Sequence, residues 1–306
     1  MKRILIIGGS AFVGRIFSIK AARTGEYELH VVNRGNLPLE LEGVREYKCN
    51  RHSPRRMAQM LPQDMVFDAL VDFCAYDAGD IAPMVAAMRG RIKQYIFFST
   101  SSVYAPNNTP MRYYKEDDPL IEQGSKSAVD TYVMGKIALE KELAESAGNA
   151  GIPYTIFRPT FIYGPFNYAP RESYFVELIA RKHVVPVPVN AEAHFNFVYA
   201  LDVSRAIMEC VGNSVAYNEI FNLAGREAVN YTGLISDFER YNGGAFETRE
   251  VTVRQVEDEH IPLPFPLYDD LLCSGDKFAQ MLDFHYTPFA EGMENTFKVF
   301  YSLFVS

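Results

Sequence analysis

The feature of this sequence that most constrains its fold is a regular alternation of short apolar runs with longer helical segments. The apolar runs, rich in Ile, Val and Phe, lie at 3–7, 28–32, 44–48, 67–72, 94–99 and 154–159. Helical patterns occupy 12–23, 54–61, 79–89 and 127–148, and the intervals are long enough for right-handed crossovers. Continuous apolar runs are typical of strands buried on both faces. The alternation therefore predicts an α/β fold with a doubly wound parallel sheet of the Rossmann type.

The alternation loosens after about residue 165, where proline clusters and a final helical stretch at 277–303 take its place. One further helix and strand, at 200–211 and 219–225, again have the composition of the main sheet. We therefore predict two interleaved domains. The main domain comprises residues 1–165 plus 196–225, and a smaller C-terminal cap domain comprises residues 166–195 plus 226–306.

The stretch ILIIGGSAFVGR, residues 4–15, joins the first predicted strand to the first predicted helix. In dinucleotide-binding folds three glycines of such a turn close it, admit the pyrophosphate and let helix and strand pack. Gly8 and Gly14 fit the outer two positions, and Ala11 stands at the middle one. One added methyl leaves the amides at the helix N-terminus available to phosphate. The turn predicts a dinucleotide site; a strand-to-helix turn without a ligand is the alternative.

The second predicted strand ends in VVNRGN, which places Asn33 and Arg34 where NAD enzymes carry a carboxylate for the ribose hydroxyl. A guanidinium at this position suits the 2′-phosphate of NADP, so NADP is the predicted cofactor, with NAD as the alternative. A solvent-exposed loop arginine would give the same sequence pattern.

Composition excludes several other functions. The chain has 306 residues and a formal net charge of -8, with a pI near 5.4, which disfavours nucleic acid and anionic membranes as partners. We interpret the one basic cluster, NRHSPRR at 50–56, as a solvated loop and helix start. The four cysteines are widely spaced, so they predict buried free thiols and no metal site. The N-terminal apolar run is short and lacks a signal-peptide pattern, so we expect a cytoplasmic protein.

Tyr132 and Lys136 lie four residues apart in a predicted helix and therefore share one face. Upstream, FFSTSSVYAP places the hydroxyls of residues 99–102 at the carboxyl end of the fifth strand, the edge at which such sheets bind ligands. A half-exposed helix face and a polar turn are the corresponding structural alternatives.

Seven motifs in order now resemble one family. The glycine turn, STSSVY with KEDDP, Tyr-x-x-x-Lys, RPTFIYGP, FNFVYALDVSRAI, FNLAG and DKFAQMLDFHYTPFAEGMENT are similar to the extended NAD(P)-dependent epimerase/dehydratase branch of the short-chain dehydrogenase/reductase superfamily. The resemblance covers nearly the whole chain. It implies that Tyr132, Lys136 and Thr100 are catalytic. Departures from the family pattern are Ala11, Asn50 in place of an aspartate, and Tyr199 in place of a histidine.

The resemblance also implies a set of binding residues. The expected cofactor contacts are Gly8, Ser10, Ala11, Phe12, Val13, Gly14, Asn33, Arg34, Asn50, Ala75, Ser99, Tyr132, Lys136 and Pro159. The substrate, which we expect to be a nucleotide sugar or related alcohol, would meet Ser101, Ser102, Asn167 and Arg171. A surface loop closing on the core is the alternative explanation for 166–174.

A mechanism follows from elementary chemistry. A phenol has an ordinary pKa near 10 and needs nearby positive charge to act as a base. The ammonium of Lys136 and a positively charged nicotinamide would favour the phenolate of Tyr132, while Thr100 would orient the substrate oxygen. Ser101 and Ser102 follow Thr100 where 4,6-dehydratases of this family carry Asp and Glu. We therefore favour an epimerase or a reductase.

The sequence also allows a rival function and a homodimer. A non-catalytic NADP-binding regulator or an RNA-associated protein of the same fold is the rival function, favoured by Ala11 and Asn50 but opposed by the retained catalytic trio and the acidity. The long helix at 127–148 could form a homodimer surface through Ile137, Leu139 and Leu143.

Overall fold

The computed structural model describes residues 1–125 and 127–305. Its strands are β1 (Lys2–Ile7), β2 (Tyr27–Asn33), β3 (Val44–Lys48), β4 (Ala69–Asp72), β5 (Tyr95–Phe98), β6 (Tyr113–Tyr114), β7 (Tyr154–Pro159), β8 (Phe161–Tyr163), β9 (Val185–Pro188), β10 (Phe197–Tyr199), β11 (Glu219–Leu223), β12 (Thr248–Val251) and β13 (Leu272–Cys273). Its α-helices are α1 (Phe12–Thr24), α2 (Pro54–Met60), α3 (Ala82–Ala87), α4 (Ala128–Ala150), α5 (Glu172–Ala180), α6 (Ala200–Cys210), α7 (Tyr231–Asn242), α8 (Val253–Asp258), α9 (Asp276–Met281) and α10 (Phe289–Val305).

Seven strands form one parallel sheet in the order β11-β7-β5-β4-β1-β2-β3. The chain builds outward from β1 through β2 to β3 and then returns to the other side of β1 with β4. The strand order therefore reverses between β1 and β4, and such a switch point opens a crevice at the carboxyl ends of the strands. The doubly wound α/β fold predicted from the alternation is confirmed.

All six apolar runs are strands, with ends within two residues of the predicted ones. The helix expected at 79–89 is shorter, because the carboxylate of Glu142 accepts the N–H groups of Gly79, Ile81 and Ala82 and so begins α3 at residue 82. The helical stretch expected at 277–303 is broken into α9 and α10. Asp283 takes a positive φ of 50° after α9, and Pro288, which lacks an N–H, precedes α10.

The late helix and strand do return to the main sheet, since β11 pairs with β7 along Glu219–Leu223. Apolar side chains pack on both faces of that sheet, and a third, aromatic cluster forms among the later elements around Phe195, Phe197 and Phe265. Most of this cluster belongs to the region that we assigned to the cap, whereas Phe197 lies in the segment 196–225 that we assigned to the main domain. The exact domain boundaries stay a prediction.

The expectation of a dimer surface on Ile137, Leu139 and Leu143 is wrong. Their exposed fractions are 4%, 0% and 0% within the single chain, where they attach α4 to the sheet and to its neighbours. All four cysteines are free; Cys74 is half-buried and the other three are buried. None of the helices in the described ranges is long and apolar enough to cross a membrane.

Candidate active site

A cavity of about 880 Å³ follows the carboxyl edge of the sheet across the switch point. Its walls come from the turn after β1, the ends of β2 and β3, the segments after β4 and β5, helix α4 and the loop before α5. Thirteen of the fourteen residues expected to contact the cofactor lie along it, and so does Thr100. The fourteenth, Ala75, is a neighbour of two lining residues, Cys74 and Tyr76.

The glycine turn has the geometry that its sequence predicts. Gly8 takes a φ of +85°, which a side chain would strain. A Cβ built on Gly14 would stand 2.8 Å from the carbonyl oxygen of Gly8, so α1 and the turn pack only without it. Ala11 sits at φ -125° and needs no glycine, whereas the next residue, Phe12, takes a positive φ of 38°. The N-terminus of α1 thus borders the cavity despite the alanine.

Two buried hydroxyls at this edge test whether a dinucleotide fits. Ser10 Oγ in the turn and Ser99 Oγ after β5 are buried and have no hydrogen-bond partner in the described part of the chain, and both residues line the cavity. Buried hydroxyls without a partner are rare and costly, so a ligand with phosphate or ribose oxygens would satisfy them. The residues present therefore fit a nicotinamide dinucleotide.

Arg34 lies exposed at the end of the cavity beside β2, and no acidic partner bonds to it among the described residues. The nearby carboxylate of Glu46 accepts hydrogen bonds from Asn33 Nδ2 (2.8 Å) and from the N–H groups of Leu39 and Glu40. Burial raises the pKa of Glu46, but these bonds outweigh it and the net direction is down. Glu46 is therefore engaged in ordering the 34–40 loop, which leaves the guanidinium free.

The interpretation of 50–56 as a solvated segment is right for Arg55 and Arg56, which are exposed, and wrong for Arg51. Arg51 is buried, and its Nη1 contacts both oxygens of Asp72 at 2.8 and 2.9 Å. Its Nη2 donates to the carbonyl of Asp80 at 2.7 Å. Buried charges of this kind persist only when they are paired. This ionic cluster fixes the β4–α3 segment under the cavity.

Helix α4 brings the predicted catalytic pair to the opposite end of the cavity. Ser127 caps the helix by accepting the N–H of Asp130 at 3.0 Å. One turn apart on the same face, Tyr132 and Lys136 then face the segments after β4 and β5. Lys136 Nζ donates to the carbonyls of Ala75 and Phe98, at 2.8 Å each. Ala75 therefore contributes by its backbone, while its side chain is in the core.

The protonation of the pair differs from the expectation in one respect. Burial lowers the pKa of Lys136 to about 8. Burial raises the pKa of Tyr132, and a hydrogen bond from Thr100 and the charge of Arg171 oppose that rise. Lys136 Nζ lies 5.7 Å from the centre of the Tyr132 ring, yet the cation that favours the phenolate most in this structure is Arg171.

Three residues expected to bind substrate do not reach the cavity. Ser101 and Ser102 lie in a 3-10 turn that directs them away from it, and Ser101 hydrogen-bonds toward Cys273. Asn167 is buried and donates to both carboxylate oxygens of Glu172, at 3.0 and 3.1 Å. Of the four residues expected to bind substrate, only Arg171 is among the described residues that line the cavity.

Two tyrosines that the sequence analysis missed also form this end of the cavity. Tyr76 follows β4 and lies 6.4 Å from Tyr132 between ring centres. Tyr168, from the loop before α5, stands edge-on to Phe12 of the glycine turn at 6.3 Å. A tyrosine placed just after an apolar strand, as in FCAY, is the signal that could have found Tyr76.

A doubly wound sheet with a glycine turn at one end of its cavity and a Tyr–Lys pair at the other defines a nicotinamide-dinucleotide protein of the short-chain dehydrogenase/reductase class. The chain belongs to the NAD dependent epimerase/dehydratase family, whose sequence profile matches residues 4–224.

Relatives and solved structures are consistent with this membership. The chain is 28% identical over 247 residues to the chloroplast stem-loop binding protein of 41 kDa b of Arabidopsis thaliana, covering 76% of this chain and 61% of that protein. The match thus spans about three fifths of the plant protein's length. This chain is also 22% identical over 265 residues to 2′-dehydrokanamycin reductase of Streptomyces kanamyceticus, and the match covers 84% of this chain and 72% of that protein.

Among solved structures, the fold is similar to that of dTDP-glucose 4,6-dehydratase from Bacillus anthracis in complex with NAD. The TM-score is 0.81 at 15% identity, and the match covers 99% of this chain and 97% of the dehydratase chain. The fold is also similar to UDP-glucose 4-epimerase from Thermotoga maritima with UDP-glucose, with a TM-score of 0.79, 18% identity and coverage of 98% and 99%. At these identities the likeness concerns the fold alone.

Proposed function

We propose that this protein is an NAD(P)-dependent epimerase or reductase that transfers hydride at an alcohol or ketone carbon of a sugar nucleotide or a related compound. The observation that carries the proposal is the meeting of Thr100, Tyr132 and Lys136 at one end of a continuous cavity that begins at the glycine turn. A protein that only bound a dinucleotide would have no need of this trio.

Each of the three side chains has a role in the proposed reaction. The bound nicotinamide supplies or accepts the hydride. Tyr132 gives its phenolic proton to the substrate oxygen during reduction and removes it during oxidation. Because burial raises the pKa of Tyr132, the phenol is protonated at neutral pH, which is the state that reduction requires. Thr100 orients the same oxygen, and Lys136 in its charged form supports the phenolate that reduction leaves behind.

The cavity also favours these reactions over elimination. None of the described side chains along it is an Asp or a Glu, so a dehydration would lack the Asp–Glu pair with which 4,6-dehydratases of this family move the protons of the elimination. A reductase among the relatives supports the same choice.

We propose NADP as the preferred cofactor, with NAD as the alternative. Arg34 has no acidic partner among the described residues and is free to bind a 2′-phosphate, and the carboxylate of Glu46, which bonds to the neighbouring Asn33, is already engaged. We also propose a reducing compartment, the cytoplasm, since all four cysteines are free. Similarity to a stem-loop binding protein supports one rival, an RNA-associated role, which the net charge of -8 opposes.

The substitution Tyr132→Phe tests the proposal. With NADPH and the carbonyl compounds that the wild type reduces, we expect turnover to fall by roughly 10²–10⁴-fold, because the general acid is lost. NADPH affinity should be nearly unchanged. The matched control is Tyr154→Phe at the opposite, amino end of the sheet, which should retain full activity.

A second reading of the same assay uses pH. Lys136 loses its charge as the pH rises through about 8, so the wild-type rate of reduction should fall there.

Turnover by Tyr132→Phe comparable to that of the wild type would remove Tyr132 from the mechanism. A wild type that binds NADPH tightly, reduces none of the compounds and binds stem-loop RNA would instead favour the rival role.

A further inference from the structure

The arginine and lysine side chains that line the cavity have no acidic counterparts in its described lining. Its described lining includes Arg34, Arg51, Lys136 and Arg171 but no Asp or Glu, in a chain whose formal net charge is -8. A cavity lined by one sign of charge concentrates ligands of the other sign. Arg51 is already paired with Asp72, and Lys136 is held by two carbonyls. The two remaining cations stand at opposite ends, and only Arg171 is on the catalytic side.

Arg171 has no acidic partner among the described residues. Its guanidinium lies over the Phe161 ring, 5.5 Å from the ring centre, which holds it without neutralising it. The adjacent Glu172 cannot pair with it, because that carboxylate is fully buried and accepts from Gly164 N at 3.1 Å and from Asn167. Burial raises the pKa of Glu172 and the charge of Arg171 acts to lower it, but no ion pair forms between them. The cation that borders the catalytic tyrosine therefore keeps its hydrogen-bonding groups for a ligand.

Apart from Lys136, which two carbonyls hold, the described side chains around Arg171 at this end are uncharged, and two of them are aromatic. Tyr76 and Tyr168 line it beside Tyr132, and both are exposed to the cavity side of the chain. Their phenol rings offer flat apolar faces and hydroxyls but no second cation. One guanidinium forms two parallel bonds with one carboxylate or phosphate group, whereas a diphosphate carries two such groups.

We propose that the substrate carries a single anionic group, a carboxylate or a phosphate monoester, close to its reacting carbon, and that Arg171 binds this group. The proposal rests on the proposed function for the reaction that takes place there. It excludes polycationic substrates, because the catalytic end has an unpaired positive charge and no described carboxylate to receive an amine.

The test compares ligands that share one sugar ring. Protein saturated with NADP⁺ is titrated calorimetrically with glucuronate, glucose 6-phosphate, glucose and glucosamine. We expect one of the two anions to bind about 10- to 150-fold more tightly than glucose, with glucosamine the weakest, as a charge-assisted hydrogen-bonded pair implies. Which anion binds better distinguishes a carboxylate from a phosphate substrate.

Variants assign the preference to one side chain. Arg171→Gln should abolish the advantage of the anions and leave glucose unaffected, and Arg171→Lys should retain part of it. The matched control is Arg181→Gln at the far end of α5, where the arginine pairs with Glu177, and it should change nothing.

Several outcomes would overturn the proposal. They are equal binding of all four sugars, or no binding of any at the highest concentration used. A fifth titration with UDP-glucose that shows tighter, Arg171-dependent binding than either anion would also do so. So would a loss of NADP⁺ affinity in Arg171→Gln as large as its loss of anion affinity, which would assign this arginine to the dinucleotide. Since the titration needs no turnover, charge-selective binding together with a fully active Tyr132→Phe would sink the proposed reaction and leave this inference standing.

Discussion

The two ends of the cavity are built differently. At the coenzyme end the contacts come from backbone geometry: a positive φ at Gly8, close packing at Gly14 and the N-terminus of α1, all within one short stretch. At the catalytic end they come from side chains on α4, after β4 and before α5, which are far apart in sequence. Backbone contacts of the kind found at the coenzyme end suit any dinucleotide, whereas the side chains at the catalytic end can differ from one substrate to another.

Two arginines show the same contrast. Arg51, beneath the coenzyme end, is buried and bonded to Asp72 and Asp80, so its charge holds the structure together. Arg171, at the catalytic end, is partly exposed and bonded to no acid among the described residues. We infer that the protein uses one guanidinium for stability and keeps the other for a ligand.

The largest expected effect tests this division. Arg51→Met should lower the free energy of unfolding by about 3–5 kcal/mol, because it leaves Asp72 buried without its partner. Arg171→Met, as the matched control, should stay within about 0.5 kcal/mol of wild type. Urea denaturation of the two variants measures both. Equal losses would show that Arg171 also supports the fold and would remove the contrast.

The glycine turn at the coenzyme end and the Tyr–Lys pair at the catalytic end could be predicted from the sequence because their signals are local. The spacing of Gly8 and Gly14, and of Tyr132 and Lys136, places each pair on one turn or one helix face whatever the rest of the chain does. The cluster around Arg51 could not be found in this way, since its partner Asp72 is 21 residues further on.

Contacts between residues far apart in sequence also explain why three of the residues expected to bind substrate do not line the cavity. Ser101 and Ser102 follow Thr100 directly, yet a single 3-10 turn rotates them out of the cavity. Its sequence context makes Asn167 look like a polar loop residue, but its amide donates a hydrogen bond to the buried carboxylate of Glu172. Tertiary contacts decided these positions, and no local pattern encodes tertiary contacts.

An effect of intermediate size is expected at the coenzyme end. Arg34→Ala should weaken NADPH by roughly 10–150-fold, since a charge-assisted bond to the 2′-phosphate is typically worth about 1.5–3 kcal/mol. NADH should bind almost as before. Calorimetric titration with both cofactors measures the difference, and Arg55→Ala, an exposed arginine outside the cavity lining, is the control.

The two cofactors separate the explanations for that result. An equal loss of NADH and NADPH affinity would mean that Arg34 stacks on the adenine ring instead of binding phosphate. Tighter binding of NADH than of NADPH by the wild type would contradict the assignment of NADP. In either case the coenzyme end would be less selective than its free guanidinium indicates.

The smallest effect is expected from Ala11→Gly, which asks whether the coenzyme end depends on backbone alone. Ala11 has an extended backbone at φ -125°, so glycine relieves no strain there; the strained residue is Phe12. Removing the methyl lets a pyrophosphate approach the turn more closely, and we expect equal or slightly tighter binding of NADPH, a change of less than about tenfold or 1.4 kcal/mol. Greater freedom of the unfolded chain should lower stability by about 0.4–1 kcal/mol. Calorimetry and urea denaturation measure the two quantities. A tenfold loss of affinity would mean that the methyl is a fitted contact and that, even at this end, a side chain has been adjusted to the ligand.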